Sequence, residues 1–342
     1  MKPLIKTITL LTILIFSCIV FQSNSQNVKA PLFSPLPSKE AAAECLKRPL
    51  VLCKREVDPK EAEKLKKKNP EQLKFDEGYN QYFNDAMKLY FDTFFKGSKT
   101  IELKSQAEVN ALISSGSSNV AIVMASDMNR KFSVGDHTKD QDTYSFRMIL
   151  PDKKDDELII SFMSNILSDA DFVFLVQQIN IHLEKIAAGE ATPSYDLTNK
   201  TRASKLKDMK LIVNLQKIDN DLTKDEITKN YPFPVEFVDS LASYEDIITG
   251  QKPGYAYIAP VWSSTLWGAG YVVVDAGTGE ILCIISAGGV SYAIGWRPAK
   301  TGNFSMDNYN RKHYSFDVIT FKRKYELQTG HFKSFYKLAT KG

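Results

Sequence analysis

Histidine, cysteine and tryptophan are scarce in this chain of 342 residues, at four, four and three copies. His137, His182, His313 and His331 form no H-x-x-x-H or H-E-x-x-H pair, so no helical zinc site is spelled out. There is no C-x-x-C, which excludes a thioredoxin-type redox pair. G-x-S-x-G, a helix-opening G-x-G-x-x-G and G-x-x-x-x-G-K-[ST] are all missing, which removes the nucleophile elbow and the usual phosphate cradles. A net charge of +4 is too small to announce nucleic acid, and no cofactor or metal is implied. Apolar residues at 43% and charged residues at 25% exclude a disordered or multi-span membrane chain.

The first 25 residues read as an export signal. Lys2 and Lys6 give a positive start, and Ile8 to Phe21 is an apolar run too short to span a bilayer comfortably. Ser23 and Ser25 are small residues placed for a cut before Gln26. The competing reading, a lipoprotein cut at Cys18, fits worse: Phe16 departs from a lipobox and the apolar run continues past Cys18. The expected destination is the periplasm or the cell exterior. Cys18 leaves with the signal. Cys45 and Cys53 then have the choice of a bridge or two unpaired thiols, and Cys283 lies in an apolar run that reads as buried.

Residues 26–45 hold Pro31, Pro35 and Pro37 and read as a lead-in. A first α/β domain is expected over 46–189. Its strands fall at 50–53, 100–103, 120–124, 144–150 and 158–163. Its helices fall at 78–95, 106–114 and 172–186, and a polar loop spans 125–143. Residues 190–208 are polar and read as a linker. A second domain, 209–342, restarts the order with strands at 211–213, 235–238, 255–258, 271–275 and 280–285, and helices at 223–230 and 241–249. Thr223 and Glu226 form a capping-box pattern. Ile101-Glu102-Leu103 matches Val235-Glu236-Phe237 at an offset of 134, and Val120 to Val123 matches Tyr255 to Ile258 at 135. Leu158 to Ile160 resembles Ile281 to Cys283 at 123. The fold class expected is α/β, as two diverged copies of a β-α-β-α-β-β-β-α unit with helices packed on a mixed sheet.

The order of a Thr223-x-x-Glu226 helix, Tyr231-Pro232, a Tyr255-Ala256-Tyr257 strand and a Val274 to Glu280 hairpin resembles that of exported bacterial proteins of no assigned function. The Val274-Asp275-Ala276-Gly277-Thr278-Gly279-Glu280 turn alone resembles the hairpin of PepSY-type domains, which act as protease propeptides or inhibitors. It covers about ten residues, and the helix-then-hairpin length before it departs from that pattern, so no function is carried over.

Three segments are the least explained by folding. The 125–143 loop carries Asp127, Asp136, His137, Asp140 and Asp142, but lacks EF-hand spacing and reads as solvated. All three tryptophans, Trp262, Trp267 and Trp296, fall within 262–296 together with Tyr292, where exposed rings would offer faces for sugars or partner side chains; packing at a core edge is the alternative. Residues 286–309 are glycine-rich, with Arg297 inside and His313 just beyond. The ligand-binding set expected is therefore Trp262, Trp267, Tyr292, Trp296, Arg297 and His313, with no catalytic residue assigned. From Arg297 onward the net charge is +7, a basic region suited to peripheral contact with the envelope or to a solvated helix face. The function expected is a non-enzymatic binding or interaction protein with a protein or glycan partner. The alternatives are a hydrolase of envelope polymers using His313, Arg297 and Asp307, and a structural scaffold.

Overall fold

The computed structural model describes residues 31–134, 137–162, 166–219, 221–263, 268–286 and 327–341. α1 (Lys39–Lys47) is capped by Ser38, whose hydroxyl accepts from the Ala41 N–H at 3.2 Å. β1 (Leu50–Cys53) follows, and all four of its residues are buried. α2 (Pro59–Lys68) and α3 (Pro70–Phe94) each begin with proline at the first position, behind Asp58 and Asn69 as side-chain caps. α3 starts at Pro70 rather than at residue 78. Its first turns carry a start signal but no apolar stripe, so periodicity alone misses them.

β2 (Ile101–Lys104) leads to α4 (Gln106–Ser115), held at its start by the reciprocal Ser105–Glu108 box and ended by Gly116 at φ 64°. β3 (Ala121–Val134), β4 (His137–Leu150) and β5 (Lys153–Phe162) form a meander. The expected loop at 125–143 is thus corrected. β3 and β4 stay paired from Ile122↔Ile149 to Val134↔His137, while Asp136 lies outside the described residues. The β4 arm, His137 to Thr143, is an unbroken polar run in the sequence and carries no period-2 hydrophobic signal to read. α5 (Asp169–Ala188) closes the half and ends at Gly189.

Residues 190–208 are corrected as well. They hold α6 (Tyr195–Thr201) and a 3-10 turn (Ala203–Lys207), with Thr198, Asn199, Ala203 and Leu206 buried. The second half continues through β6 (Lys210–Asn214), α7 (Lys224–Asn230), β7 (Val235–Val238), α8 (Leu241–Thr249), β8 (Tyr255–Ser263), β9 (Gly268–Asp275), β10 (Ile281–Ser286) and α9 (Thr329–Lys341).

The fold is α/β: among the described residues, one mixed ten-stranded sheet with helices packed on it. β1 pairs in parallel with β2 and β3, and β6 pairs in parallel with β7 and β8. In each half the next two strands are antiparallel. Leu50 stands opposite Ile101 and Ala121, and Leu211 stands opposite Val235 and Ala256, so both halves use one strand order and one register. The halves join where β5 meets β8 antiparallel, at Ser161↔Trp262 and Phe162↔Val261.

Alternation along the strands divides the core. Ala121 and Val123 join the largest apolar cluster, with α1, α3 and α5, while Ile122 joins a small one with Val51, Cys53, Val109 and Ile149. In the second half Ala256 and Ile258 lie in a cluster with Leu206, Ile227 and Phe332, and Tyr257 and Ala259 join the largest cluster. The second half is therefore turned over relative to the first. α5 lies across both halves, touching α1, α3 and α8.

Candidate functional site at the seam between the halves

Trp262 is the one expected site residue within the described structure. It lies on β8 at the seam and is 6% exposed, so its ring is buried rather than offered to solvent. It lines a cleft of about 60 Å³ with Leu32, Phe33, Ile159, Ser161 and Ser263. That space takes a few water molecules, not a sugar ring. Polar groups around the cleft are used internally: the Ser145 and Ser161 hydroxyls bond each other at 2.7 Å, and the Ser263 hydroxyl donates to the Leu32 carbonyl. Trp267, Tyr292, Trp296, Arg297 and His313 lie outside the described residues.

The register still places the exits of those segments. Ser263 pairs with Gly268, and Ser286 pairs with Gly270. The connection that carries Trp267 and the chain that continues past Ser286 toward Tyr292 and Trp296 thus leave the same end of the sheet, beside Trp262.

The seam is fixed by contacts from α5. Gln178 Nε2 donates to the Gly279 carbonyl at 2.7 Å, and the Tyr257 hydroxyl donates to Gln177 Oε1 at 3.4 Å. Gly279 has φ 74°, and a Cβ there would lie 2.7 Å from Gln177 Cβ, so both the backbone and the docking helix require glycine. Gly277, two residues before it, is not in the positive-φ region. At the start of α5 the Asp169 N–H donates to Glu245 Oε1 at 3.1 Å, and the Tyr82 hydroxyl donates to Asp169 Oδ1 at 2.8 Å. Burial pushes the Glu245 carboxyl above the usual glutamate range, and the charge of Asp169 adds to the push.

The other described titratable groups serve structure. His182 is fully enclosed, shares its Nδ1 with the Gln178 carbonyl at 2.8 Å, and is pushed down to about 4 by burial. Cys45 and Cys53 are unbridged and buried, and burial raises their thiols to about 12 and about 11. Cys283 is buried too and its thiol is likewise raised. Such thiols are poor nucleophiles. Among the described residues no group of three or more His, Cys, Asp or Glu side chains could hold a metal. The Arg55 guanidinium lies over Tyr144, Tyr79 and Phe83, 4.9, 5.1 and 5.7 Å from their centroids, which ties the end of β1 to α3 and β4. Nothing local in the sequence marks Arg55, Asp169 or Glu245, because each finds its partners across the fold.

No family model matches the chain, and no curated protein or solved structure matches it significantly.

Proposed function

We infer that the protein is exported, to the periplasm or beyond, and acts there as a non-enzymatic binding or interaction protein built from two diverged copies of one α/β unit. The observation that supports a ligand site is the common exit: β8, β9 and β10 send the Trp267 connection and the Tyr292–Trp296–Arg297 segment out from one end of the sheet. Trp262 anchors that end from within, and Trp267, Tyr292, Trp296, Arg297 and His313 are the groups that meet a glycan or protein partner. Flat rings with a guanidinium nearby suit sugars and acidic groups. The basic face needed for peripheral envelope contact has described members on α9, where Lys333, Lys337 and Lys341 are exposed.

The test is a thermal-shift panel on the chain from Gln26 with peptidoglycan fragments and neutral and acidic glycans. A ligand that binds only the folded state raises the melting temperature. The shift is expected with one glycan class and lost in Trp267→Ala and Trp296→Ala. Trp262 is left intact because truncating a buried ring unfolds rather than reports. A shift that survives both substitutions would place the site elsewhere, and turnover abolished by His313→Ala would replace binding with hydrolysis.

A further inference from the structure

The two halves have the same parts and unequal cover. In the second half Tyr244, Ile247 and Ile248 of α8 are 3%, 5% and 0% exposed, because α5 of the first half lies beside them. At the same three places on α4, Val109 is buried but Leu112 and Ile113 are half-exposed, as are Met124 on the strand beneath and Val120 just before it. No counterpart of α5 covers this side among the described residues.

The sheet edge shows the same difference. β8 is flanked by β6 near its start and by β5 near its end, through Trp262↔Ser161. β3 is flanked by β1 from Ala121 to Val123 and then runs on, paired only with β4 among the described strands. Asp127 on β3 holds the register position that Trp262 holds on β8, and no described strand faces it from the β1 side.

The far end of the sheet carries the matching part. On β5 the Ile159 N–H is held by the Pro35 carbonyl at 3.4 Å, and two residues on, Ser161 pairs with β8. On β10 the Ile284 N–H and carbonyl are held by the Asn199 amide at 2.7 Å each, and two residues on stands Ser286, exposed. The last strand of each half is thus prepared alike, with one outer residue satisfied and the next turned toward a neighbour. In the first half that neighbour is β8.

We propose that the chain assembles head to tail with copies of itself, the β10–α9 end of one copy docking on β3 and α4 of the next as β5 and α5 dock on β8 and α8 within the chain. Ser286 then stands opposite Asp127 of the following copy, and α9 covers Leu112 and Ile113. The contact joins two different patches, so it does not close on a pair of copies. Each step turns the unit over, and two steps bring the same face and strand direction back, so successive copies follow one another along one continuing, twisting sheet. An open edge completed by a strand from another molecule is an established mode of association. This inference stands apart from ligand binding at the aromatic end, which survives if assembly fails.

The test uses the chain from Gln26 in two single-cysteine additions, Ser286→Cys and Asp127→Cys. Neighbouring strands bring paired Cα atoms within disulfide reach, and the native Cys45, Cys53 and Cys283 are buried. Mild oxidation of the mixture is expected to give a 286–127 cross-linked dimer, with each variant alone remaining monomeric on a denaturing gel. A chain carrying both changes gives a ladder. Cross-linking of Asp127→Cys with itself, or no product in the mixture, overturns the proposal. Sedimentation equilibrium of the unaltered chain gives a check that needs no substitution. Average mass is expected to rise with concentration past the dimer. A mass that stays monomeric, or stops at two copies, up to near-millimolar concentration also overturns it.

Discussion

α4 and α8 begin at Ser105 and Ser240, each of which caps its helix with its own hydroxyl, and each helix turns an apolar trio onto the strands below. One trio is sealed and the other is half open. Local sequence therefore sets where a helix starts and which face it turns inward. What covers that face from outside is set by the neighbour, and among the described residues α5 packs beside α8 with no comparable packing on α4. The same contrast separates the thick sides of the halves: the first is filled with rings around Phe83, Phe146 and Phe172, one pair stacked and the others edge-on, and the second is mainly aliphatic, with Phe332 and Phe335 from α9.

The largest expected effect asks whether the halves unfold together. Phe172 is fully buried and meets Phe83 edge-on with centroids 5.1 Å apart. Phe172→Ala should cost about 4 kcal/mol in denaturant unfolding. Because one sheet and α5 tie the halves, a single transition should shift as a whole; two separable transitions, with only the first moved, would break the comparison. The next effect sits on the seam. Gly279→Ala combines positive φ with a clash against Gln177, and should cost about 2–3 kcal/mol. Gly116→Ala, at φ 64° with open space around it, should cost about 1 kcal/mol.

A smaller effect sharpens the comparison at the helix ends. After α4 the left-handed position is Gly116, whose N–H bonds the Ile113 carbonyl, and the Ser117 N–H bonds Leu112. After α8 the same two bonds run from Gln251 to Ile248 and from Lys252 to Ile247, but Gln251 carries a side chain at φ 46°. Gln251→Gly should raise stability by about 0.5–1 kcal/mol, seen as a higher melting temperature. The smallest effect concerns Glu245. A carboxyl whose folded pKa is raised binds its proton more tightly when folded. It therefore favours the folded state in acid and loses that contribution as pH climbs from the ordinary glutamate range through the raised value. Glu245→Gln keeps the acceptor for the Asp169 N–H and removes the charge. It should stabilise by less than about 1 kcal/mol at neutral pH, since the side chain is half in solvent, and by nothing in acid. A loss of stability at neutral pH would show that the ionised carboxylate is needed as a cap.

Much of the architecture was legible because it is local. The Thr223–Glu226 box, the terminators Gly116 and Gly189, and the short apolar strands all act within a few residues. The sequence offsets of 134 and 135 coincide with positions opposite Leu50 and Leu211 in the two ladders. Two features were hidden. The β4 arm of the β3–β4 ribbon is an unbroken polar run from His137 to Thr143, and α6 reads as a linker because its burial comes from distant partners such as Ile284. Of the candidate site Trp262 lies among the described residues, and its burial follows from the arrival of β5, which no pattern within 255–263 announces.

Hydrogen–deuterium exchange across a concentration series tests the unequal cover of the halves most directly. Amides of α8 and of β8 near Trp262 should be protected at every concentration, and those of α4 and of β3 around Asp127 should gain protection as concentration rises. Equal protection of α4 and α8 in dilute solution, unchanged on concentrating, would contradict both the uncovered side and the copy that fills it.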